Sequence, residues 1–246
     1  MPKLEAYNHQ LDYSYAPGIF PSHALLNARP ELARRLLVRS DALESDGVRA
    51  LMDKCTALNV RTETADRALE RISRKENCYA ALVFDKFSST LKPDTNHIVL
   101  VNPSDMGNLG TILRACLGFS LPDLAIIRPA ADVFDPRVVR ASMGALFSMR
   151  VALYDSFEAY SAQYPHHALY PFMLDGSVPL PRACMAAKQP YSLVFGNEAT
   201  GLPASFAQLG QPVRIPQSDA IDSLNLSVAV SIAAYAFTQA NAACDS

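Results

Sequence analysis

Charge of one sign is what this chain most plainly lacks: 22 Lys and Arg stand against 24 Asp and Glu, a formal net charge of −2 over 246 residues. No global field gathers a polyanion onto such a chain, so any nucleic-acid site has to be a local patch. Long apolar runs are missing too. The longest, such as SLNLSVAVSIAAYAF at 223–237, is interrupted by Ser and Asn and falls short of the roughly 18 apolar residues of a spanning helix, so no membrane contact is expected. The opening MPKLEAYNHQ has no charged-then-apolar signal pattern; secretion is not expected, and a cytoplasmic location is. Cys55, Cys78, Cys116, Cys184 and Cys244 form no CxxC pair and no Cys/His ligand spacing, which reads as plain thiols in a reducing compartment and argues against zinc. His97 and the pair His166–His167 lack ligand partners at usable spacing and read as surface or linker residues, so no metal is expected. Internal repeats and low-complexity tracts are absent as well.

What is present is a chain half hydrophobic, enough to bury a substantial core in one large α/β unit or two smaller domains. Residues 1–21 form an irregular, Tyr- and Pro-containing lead. From 22 to 87 the pattern runs helix (22–32), strand RLLVRS, helix GVRALMDKCTAL, short strand NVRTE, helix ADRALERIS and strand YAALVFDKF, a self-contained small α/β domain. The polar, proline-bearing SSTLKPDTN then reads as a linker over 88–96. From 97 to 246 strands and helices alternate again, from HIVLVN through GNLGTILRACLGF, LAIIRP, PRVVRASMGALF, MRVALY, SFEAYSAQY, ALYPFML, SLVFG and PVRIP to a final helix within SLNLSVAVSIAAYAFTQA. Such alternation predicts a largely parallel sheet covered on both faces.

Basic residues cluster twice in the first domain. Arg29, Arg34, Arg35 and Arg39, then Arg67, Arg71, Arg74 and Lys75, recur at near-helical spacing, which suits either a solvated helix face or phosphate contacts. In the second domain VNPSDMGNLGTILRACLGF follows a strand like a nucleotide loop. Gly107 and Gly110 stand three apart and no Lys follows, so it satisfies neither G-x-G-x-x-G nor the phosphate P-loop. It offers instead Asn108 at the expected helix start, where Asn caps well, and Arg114 six residues on. An Arg in an otherwise apolar helix is costly to bury without an anion and calls for a carboxylate or phosphate.

Two later stretches supply company for it. LVFGNEATGLP breaks from a buried strand into a loop with Gly196 and Gly201, whose amides can approach a ligand, and carries the lone charge Glu198. IPQSDAIDSLNLSVAV puts Ser223 and Asn225 just before an apolar helix; capping accounts for one of them, not both. All three stretches end strands in polar loops, where open α/β sheets place ligands. Phe119, Phe134, Phe147 and Tyr154 read as core residues and not as platforms for stacked bases.

NLGTILRA, VFGNEATGL and IPQSDAIDSLNLSVAVSIAAYAF resemble, in order and spacing, the three motifs of the SpoU/TrmH-type RNA 2′-O-ribose methyltransferases of the SPOUT class, over about residues 98–240. Residues 22–86 resemble, through their layout and ADRALERISRKENCYA, the small RNA-binding domain that precedes the catalytic domain in many members. The resemblance implies an α/β fold with a SPOUT-type, trefoil-knotted parallel-sheet catalytic domain, S-adenosylmethionine as cofactor, and a homodimer. It implies cofactor contacts at Gly196, Ile215 and Leu224, and catalytic positions at Asn108, Arg114, Glu198, Ser223 and Asn225. The substrate it implies is a structured RNA, ribosomal in preference to transfer because of the leading domain, gripped by Arg29, Arg34, Arg35, Arg39, Arg71, Arg74 and Lys75. The lead PSDMG before Asn108 departs from a commoner short Pro/Gly run. Two rivals stand beside this reading: an inert RNA-binding or ribosome-assembly protein of the same fold, opposed by the intact polar set, and a nucleotide- or NAD-binding enzyme, opposed by the missing fingerprint.

Overall fold

The computed structural model describes residues 5–72 and 78–244; Arg74 and Lys75 lie outside the described residues. In chain order the elements are β1 (Tyr13–Pro17), α1 (Ile19–Ala28), β2 (Ala33–Val38), α2 (Asp46–Ala57), β3 (Arg61–Thr64), α3 (Asp66–Ile72), β4 (Ala80–Asp85), β5 (His97–Val101), α4 (Met106–Gly118), β6 (Asp123–Ile127), α5 (Pro136–Ala141), β7 (Arg150–Tyr154), α6 (Phe157–Gln163), β8 (Ala168–Pro171), β9 (Val178–Pro179), α7 (Leu180–Met185), β10 (Tyr191–Phe195), β11 (Val213–Arg214) and α8 (Leu226–Cys244). They form two compact units.

The first unit comprises the chain up to Phe87 together with Asp132–Ser148. Its sheet has the order β1-β4-β2-β3, with β4 antiparallel to both β1 and β2, and β2 parallel to β3. Leu36, Leu37 and Val38 of β2 and Ala80–Phe84 of β4 are buried, as the apolar runs in those segments dictate. Two features differ from the sequence expectation. The lead is not wholly irregular, since Tyr13–Pro17 pairs residue for residue with β4, from Tyr13↔Asp85 to Pro17↔Ala81. An edge strand tolerates the proline that made it hard to recognise. The boundary at residue 97 is also not a clean cut, because α5 and the turn after it belong to the first unit although they connect β6 to β7. The Phe147 ring meets Phe84 edge-on at 5.0 Å, the Arg29 guanidinium donates to the Phe147 carbonyl at 2.9 Å, and Gly144, at φ 85°, lies where a Cβ would fall 2.3 Å from that of Ala24.

The second unit, Ser88–Ala131 with Met149–Ser246, holds a five-stranded sheet of order β7-β6-β5-β10-β8, every neighbouring pair parallel. This is the parallel α/β sheet that the alternation predicts. Val99, Val101, Ala125, Ile127 and Val194 share one buried cluster with Phe157, Tyr160 and Tyr164. The final helix α8 packs on α4, α7 and β10, burying Val230 and Phe237 together with the small Ser227, Ala233 and Ala234, which let its neighbours approach closely. The chain runs from β5 outward through β6 and β7 on one side and returns with β8 and β10 on the other, so the strand order reverses between β5 and β10. That reversal point is where open parallel sheets bind ligands, beyond the carboxyl ends of the strands. The short β9 and β11 pair with each other; β11 lies within the expected strand PVRIP, whereas the two-residue β9 and the six-residue α7 leave no periodic signal in sequence.

At the opposite, amino-terminal end lies a row of polar residues in register: Ser192↔His97↔Asp123↔Arg150. His97 and Asp123 are wholly buried and His167 is 7 % exposed, which corrects the expectation that these histidines are surface or linker residues. Their partners explain the burial. His97 Nε2 lies 2.8 Å from the Lys92 carbonyl and Nδ1 2.9 Å from the Tyr160 hydroxyl; His167 contacts the Pro93 carbonyl and the Ser192 hydroxyl, each at 2.9 Å. Carbonyls only accept, so both imidazoles carry their proton on Nε2 and pin the 88–96 segment to the sheet. Asp123 accepts from Arg150 Nε at 2.6 Å, Thr95 at 2.7 Å and the Lys92 amide at 3.2 Å. Burial raises its pKa, but these donors outweigh burial and hold the carboxyl below its usual range.

Desolvation pushes the His97 pKa down to about 4, and the His167 pKa moves in the same direction for the same reason. An unfolded His titrates near 6.5, so between about pH 6.5 and 4 the unfolded chain takes up protons that the native one refuses. Stability therefore rises with pH through that window and falls as pH drops, by up to about 3 kcal/mol from His97 alone. Urea denaturation at pH 7, 6 and 5 is expected to show a steadily falling midpoint, and His97→Gln to flatten that fall.

Candidate active site

The loops that leave β5 and β10 meet at the strand-order reversal. After β5 the chain turns through Asn102, at φ 55°, into α4, whose N-cap is Asp105: its side chain accepts from the Asn108 amide at 2.7 Å. Asn108 is therefore not the cap expected from sequence. It sits inside the first turn with its side chain released for other contacts. Leu109, Gly110, Ile112, Leu113 and Cys116 form the buried face of α4, at the helical spacing that the segment predicts.

After β10 the chain folds back at once, the Gly201 amide donating to the Asn197 carbonyl at 2.9 Å. Gly196 is demanded by this turn, because a Cβ there would fall 2.1 Å from the Gly201 carbonyl carbon and 2.3 Å from the Leu202 nitrogen. Gly201 takes φ 66°. Asn197 anchors the loop to its neighbour, donating to the Asn102 carbonyl at 2.8 Å and accepting from the Ala199 amide at 2.9 Å. The next residue, Glu198, is thereby aimed at the start of α4. Its Oε2 accepts from the Ser104 amide at 3.1 Å and the Ser104 hydroxyl at 2.9 Å, and its Oε1 accepts from the Asp105 amide at 3.1 Å. Partial burial pushes the Glu198 pKa up; the amides of Ser104 and Asp105 and the Ser104 hydroxyl outweigh it and hold the carboxyl below the ordinary range.

From Glu198 a line of amides runs to α8. Asn108 Nδ2 lies 3.5 Å from Glu198 Oε1, the long end of hydrogen bonding, and Asn225 Nδ2 donates to Asn108 Oδ1 at 3.0 Å. Asn225 Oδ1 caps α8, accepting from the Ser227 amide at 2.9 Å and its hydroxyl at 2.7 Å. Beside this line opens a cavity of about 600 Å³, lined by Gly196, Glu198, Ile215, Ser223 and Leu224, with Phe172, Phe195 and Leu226 among its apolar walls and Asp175, Asp219 and Asp222 among its polar ones. All three expected cofactor contacts thus share one cavity with two of the five expected catalytic residues, and Asn108 and Asn225 join it through hydrogen bonds.

With that geometry in view, the relatives can be compared. The family model described as the SpoU rRNA Methylase family matches residues 95–235. The chain belongs to this family. A Listeria monocytogenes protein, named as a candidate tRNA (cytidine(34)-2′-O)-methyltransferase, is 34 % identical over 154 residues, 57 % of this chain and 85 % of that protein. Two solved structures share the fold: the SpoU methyltransferase AviRb of Streptomyces viridochromogenes in complex with S-adenosylmethionine (TM-score 0.81, 21 % identity, 97 % of this chain and 96 % of that one), and an S-adenosylmethionine-bound rRNA methyltransferase of Sinorhizobium meliloti (TM-score 0.77, 23 % identity, 93 % and 87 %).

Two expectations about this SpoU chain need correction. Arg114 is exposed, so the cost of burying an arginine does not bear on it. Six residues along α4 from Asn108, it lies about 9 Å further along the axis and about 120° around it, and so it does not join the Glu198 series. The basic residues of the first unit are the second correction. Arg34 and Arg35 lie on strand β2, so the helical spacing was coincidental. Arg34 pairs with Asp12 at 2.7 Å and with Asp85, Arg35 with Glu63 at 3.1 Å, and Arg39 with Asp41 at 2.7 Å. Arg29 stacks over the Phe87 ring at 4.2 Å in addition to its bond to Phe147. Arg71, near the end of α3, is exposed. Sequence reading missed Ser104, Asp105, Asn197 and Ser227. The signal for the first two was present in PSDMG, the departure from the family pattern, which supplies the donors that hold Glu198.

Proposed function

We infer that this SpoU family member transfers the methyl group of S-adenosylmethionine to a ribose 2′-hydroxyl of a structured RNA, ribosomal RNA in preference to transfer RNA, in the cytoplasm. The observation that carries the reading is the Glu198–Asn108–Asn225 series beside a cavity at the strand-order reversal. The cavity lies within the roughly 300–1,000 Å³ of small-molecule sites and mixes apolar walls with a few polar groups. Its makeup fits the cofactor: Phe172, Phe195, Ile215 and Leu224 suit an adenine, and Asp175, Asp219 and Asp222 suit a cation. Gly196, Ile215 and Leu224 hold it through the backbone.

When bound, S-adenosylmethionine supplies a methyl group on a sulfonium, open to in-line attack by an oxygen. The chain's part is to hold that oxygen in line, so that its new bond to carbon forms as the bond from carbon to sulfur breaks and the hydroxyl proton passes to solvent water. Arg114, exposed on α4, grips the neighbouring phosphate with its planar fork and so orients the hydroxyl. Ser223, on the cavity wall, and Asn225 position the substrate against the cofactor. The preference for ribosomal RNA rests on the leading α/β unit, whose exposed Arg71 is the contact least committed to internal pairing among the described residues of the basic set.

The trefoil knot implied by the family belongs to the same reading. Its support is the close passage of backbone at Gly176 and Gly210, where a Cβ would fall 2.5 Å from the Val213 carbonyl carbon and 2.2 Å from the Leu169 carbonyl oxygen. A homodimer belongs to it too. Val228, Ile232 and Tyr235 stand exposed on α8 at i, i+4 and i+7, an apolar stripe that a second copy of this chain would cover.

Three measurements bear on these points. Arg114→Ala is expected to abolish ribose methylation on the correct RNA while leaving S-adenosylmethionine affinity within about twofold, and Arg114→Lys to rescue poorly; near-normal turnover of the Ala variant would remove Arg114 from the site. Arg71→Gln should weaken RNA binding and lower the salt slope by about one without changing the melting temperature, whereas Arg35→Gln, which frees Glu63 from its partner, should lower the melting temperature. Light scattering at micromolar concentration should give twice the mass of one chain, and Tyr235→Glu should bring it to the mass of one.

A further inference from the structure

Hydrogen bonds in the Glu198 series have a direction, and it is fixed from both ends. At the α8 end, the Ser227 backbone amide can only donate, so the atom of Asn225 facing it at 2.9 Å is the carbonyl oxygen and the amide nitrogen turns toward Asn108. Asn108 then presents its oxygen to Asn225 and its nitrogen to Glu198. At the Glu198 end this arrangement requires a group that only accepts, which an ionised carboxylate is and a protonated or amide group is not.

A carboxylate offers about four acceptor positions. Here the Ser104 amide, the Ser104 hydroxyl, the Asp105 amide and Asn108 take them, with Asn197 Nδ2 at 3.4 Å as a fifth donor. Glu198 is saturated and has no free lone pair with which to take a proton from a substrate. The oxygens of Asn108 and Asn225 are engaged as well, while each amide nitrogen retains one hydrogen. What the series turns outward is therefore N–H donors, the complement of phosphate and ribose oxygens.

We propose that Ser104 is a positioning residue of this site: through its amide and hydroxyl it keeps Glu198 an acceptor-only group, which orients Asn108 and Asn225 as donors to the RNA and excludes Glu198 as the base. The proposal rests on the methyl-transfer reading above, and Ser104 acts through Glu198 without touching substrate. Its hydroxyl is the one side-chain oxygen among the donors to Glu198, so it is the member that a substitution removes while leaving the backbone amides in place. Being exposed, it can be changed without opening a cavity.

The experiment compares the full-length chain with Ser104→Ala and Ser104→Thr by two readouts. Carbon-13 NMR titration of the Glu198 carboxyl should give a midpoint below the ordinary glutamate range in the parent, a higher one in Ser104→Ala, and a restored one in Ser104→Thr, which keeps the hydroxyl. Steady-state methylation of RNA should show kcat lowered on the order of tenfold in Ser104→Ala, with cofactor affinity within about twofold, the acid limb of the pH profile moved upward with the Glu198 midpoint, and Ser104→Thr close to the parent. An unchanged Glu198 midpoint in Ser104→Ala, an unchanged kcat, or an equal loss in Ser104→Thr would each overturn the proposal. Failure of the parent chain to methylate any ribose would sink the methyl-transfer reading, whereas the titration tests the hold of Ser104 on Glu198 independently of substrate.

Discussion

One carboxylate ties together the parts of the second unit that are distant in sequence. Glu198, just beyond β10, is held by two backbone amides and a hydroxyl at the start of α4, just beyond β5, and Asn108 links it by hydrogen bonds to Asn225 at the start of α8. The donors lie where a helix N-terminus already favours negative charge, which is why a partly buried glutamate stays ionised there. Remove that charge and the series loses its acceptor at one end, its direction then being set from the Ser227 amide alone; the loops after β5 and β10 also lose a shared anchor. The cavity beside them depends on the same turn, since Gly196 and Gly201 close the loop tightly enough to aim Glu198 across the strand-order reversal.

The two ends of the parallel sheet use polar groups in contrasting ways. At the amino-terminal end Ser192, His97, Asp123 and Arg150 stand in one register row, and the histidines bind backbone carbonyls of the 88–96 segment as neutral rings, so this end is closed and its polar groups satisfy one another. At the carboxyl-terminal end the acceptors of the Glu198 series are engaged internally and its donors are left over. Polar groups that complete one another stabilise a fold, and ones that leave unspent donors beside a cavity are available to a ligand. That division gives the buried histidines to structure, while the proposed reaction draws on the amides of the Glu198 series.

How much of this was legible in sequence follows from the range of the interactions involved. The alternation from 97 onward gave the parallel sheet, because fully buried strands must be apolar and the intervening helices amphipathic. The three motif stretches marked Glu198, Asn108 and Asn225 because charged and amide side chains beside apolar strand ends have few structural uses. Residues whose roles depend on register or on a distant partner were not readable. Nothing near His97 in sequence says that it begins a strand opposite Asp123 and Ser192, and nothing near Arg34 says that Asp12 and Asp85 flank it. Arg114 misled for a related reason, since an arginine within an apolar segment can still lie on the helix face turned to solvent. The edge strand Tyr13–Pro17 escaped because its apolar pattern is short and ends in proline.

The central claim, methyl transfer to a ribose oxygen, is tested most directly by a chemical property of the product. A 2′-O-methyl group removes the hydroxyl through which alkali cleaves RNA, so a modified position survives as an alkali-stable dinucleotide. The purified chain, incubated with methyl-labelled S-adenosylmethionine and unmodified ribosomal RNA and then digested with alkali, is predicted to leave its label in dinucleotides. Label recovered in mononucleotides, the mark of a methylated base, would contradict the account.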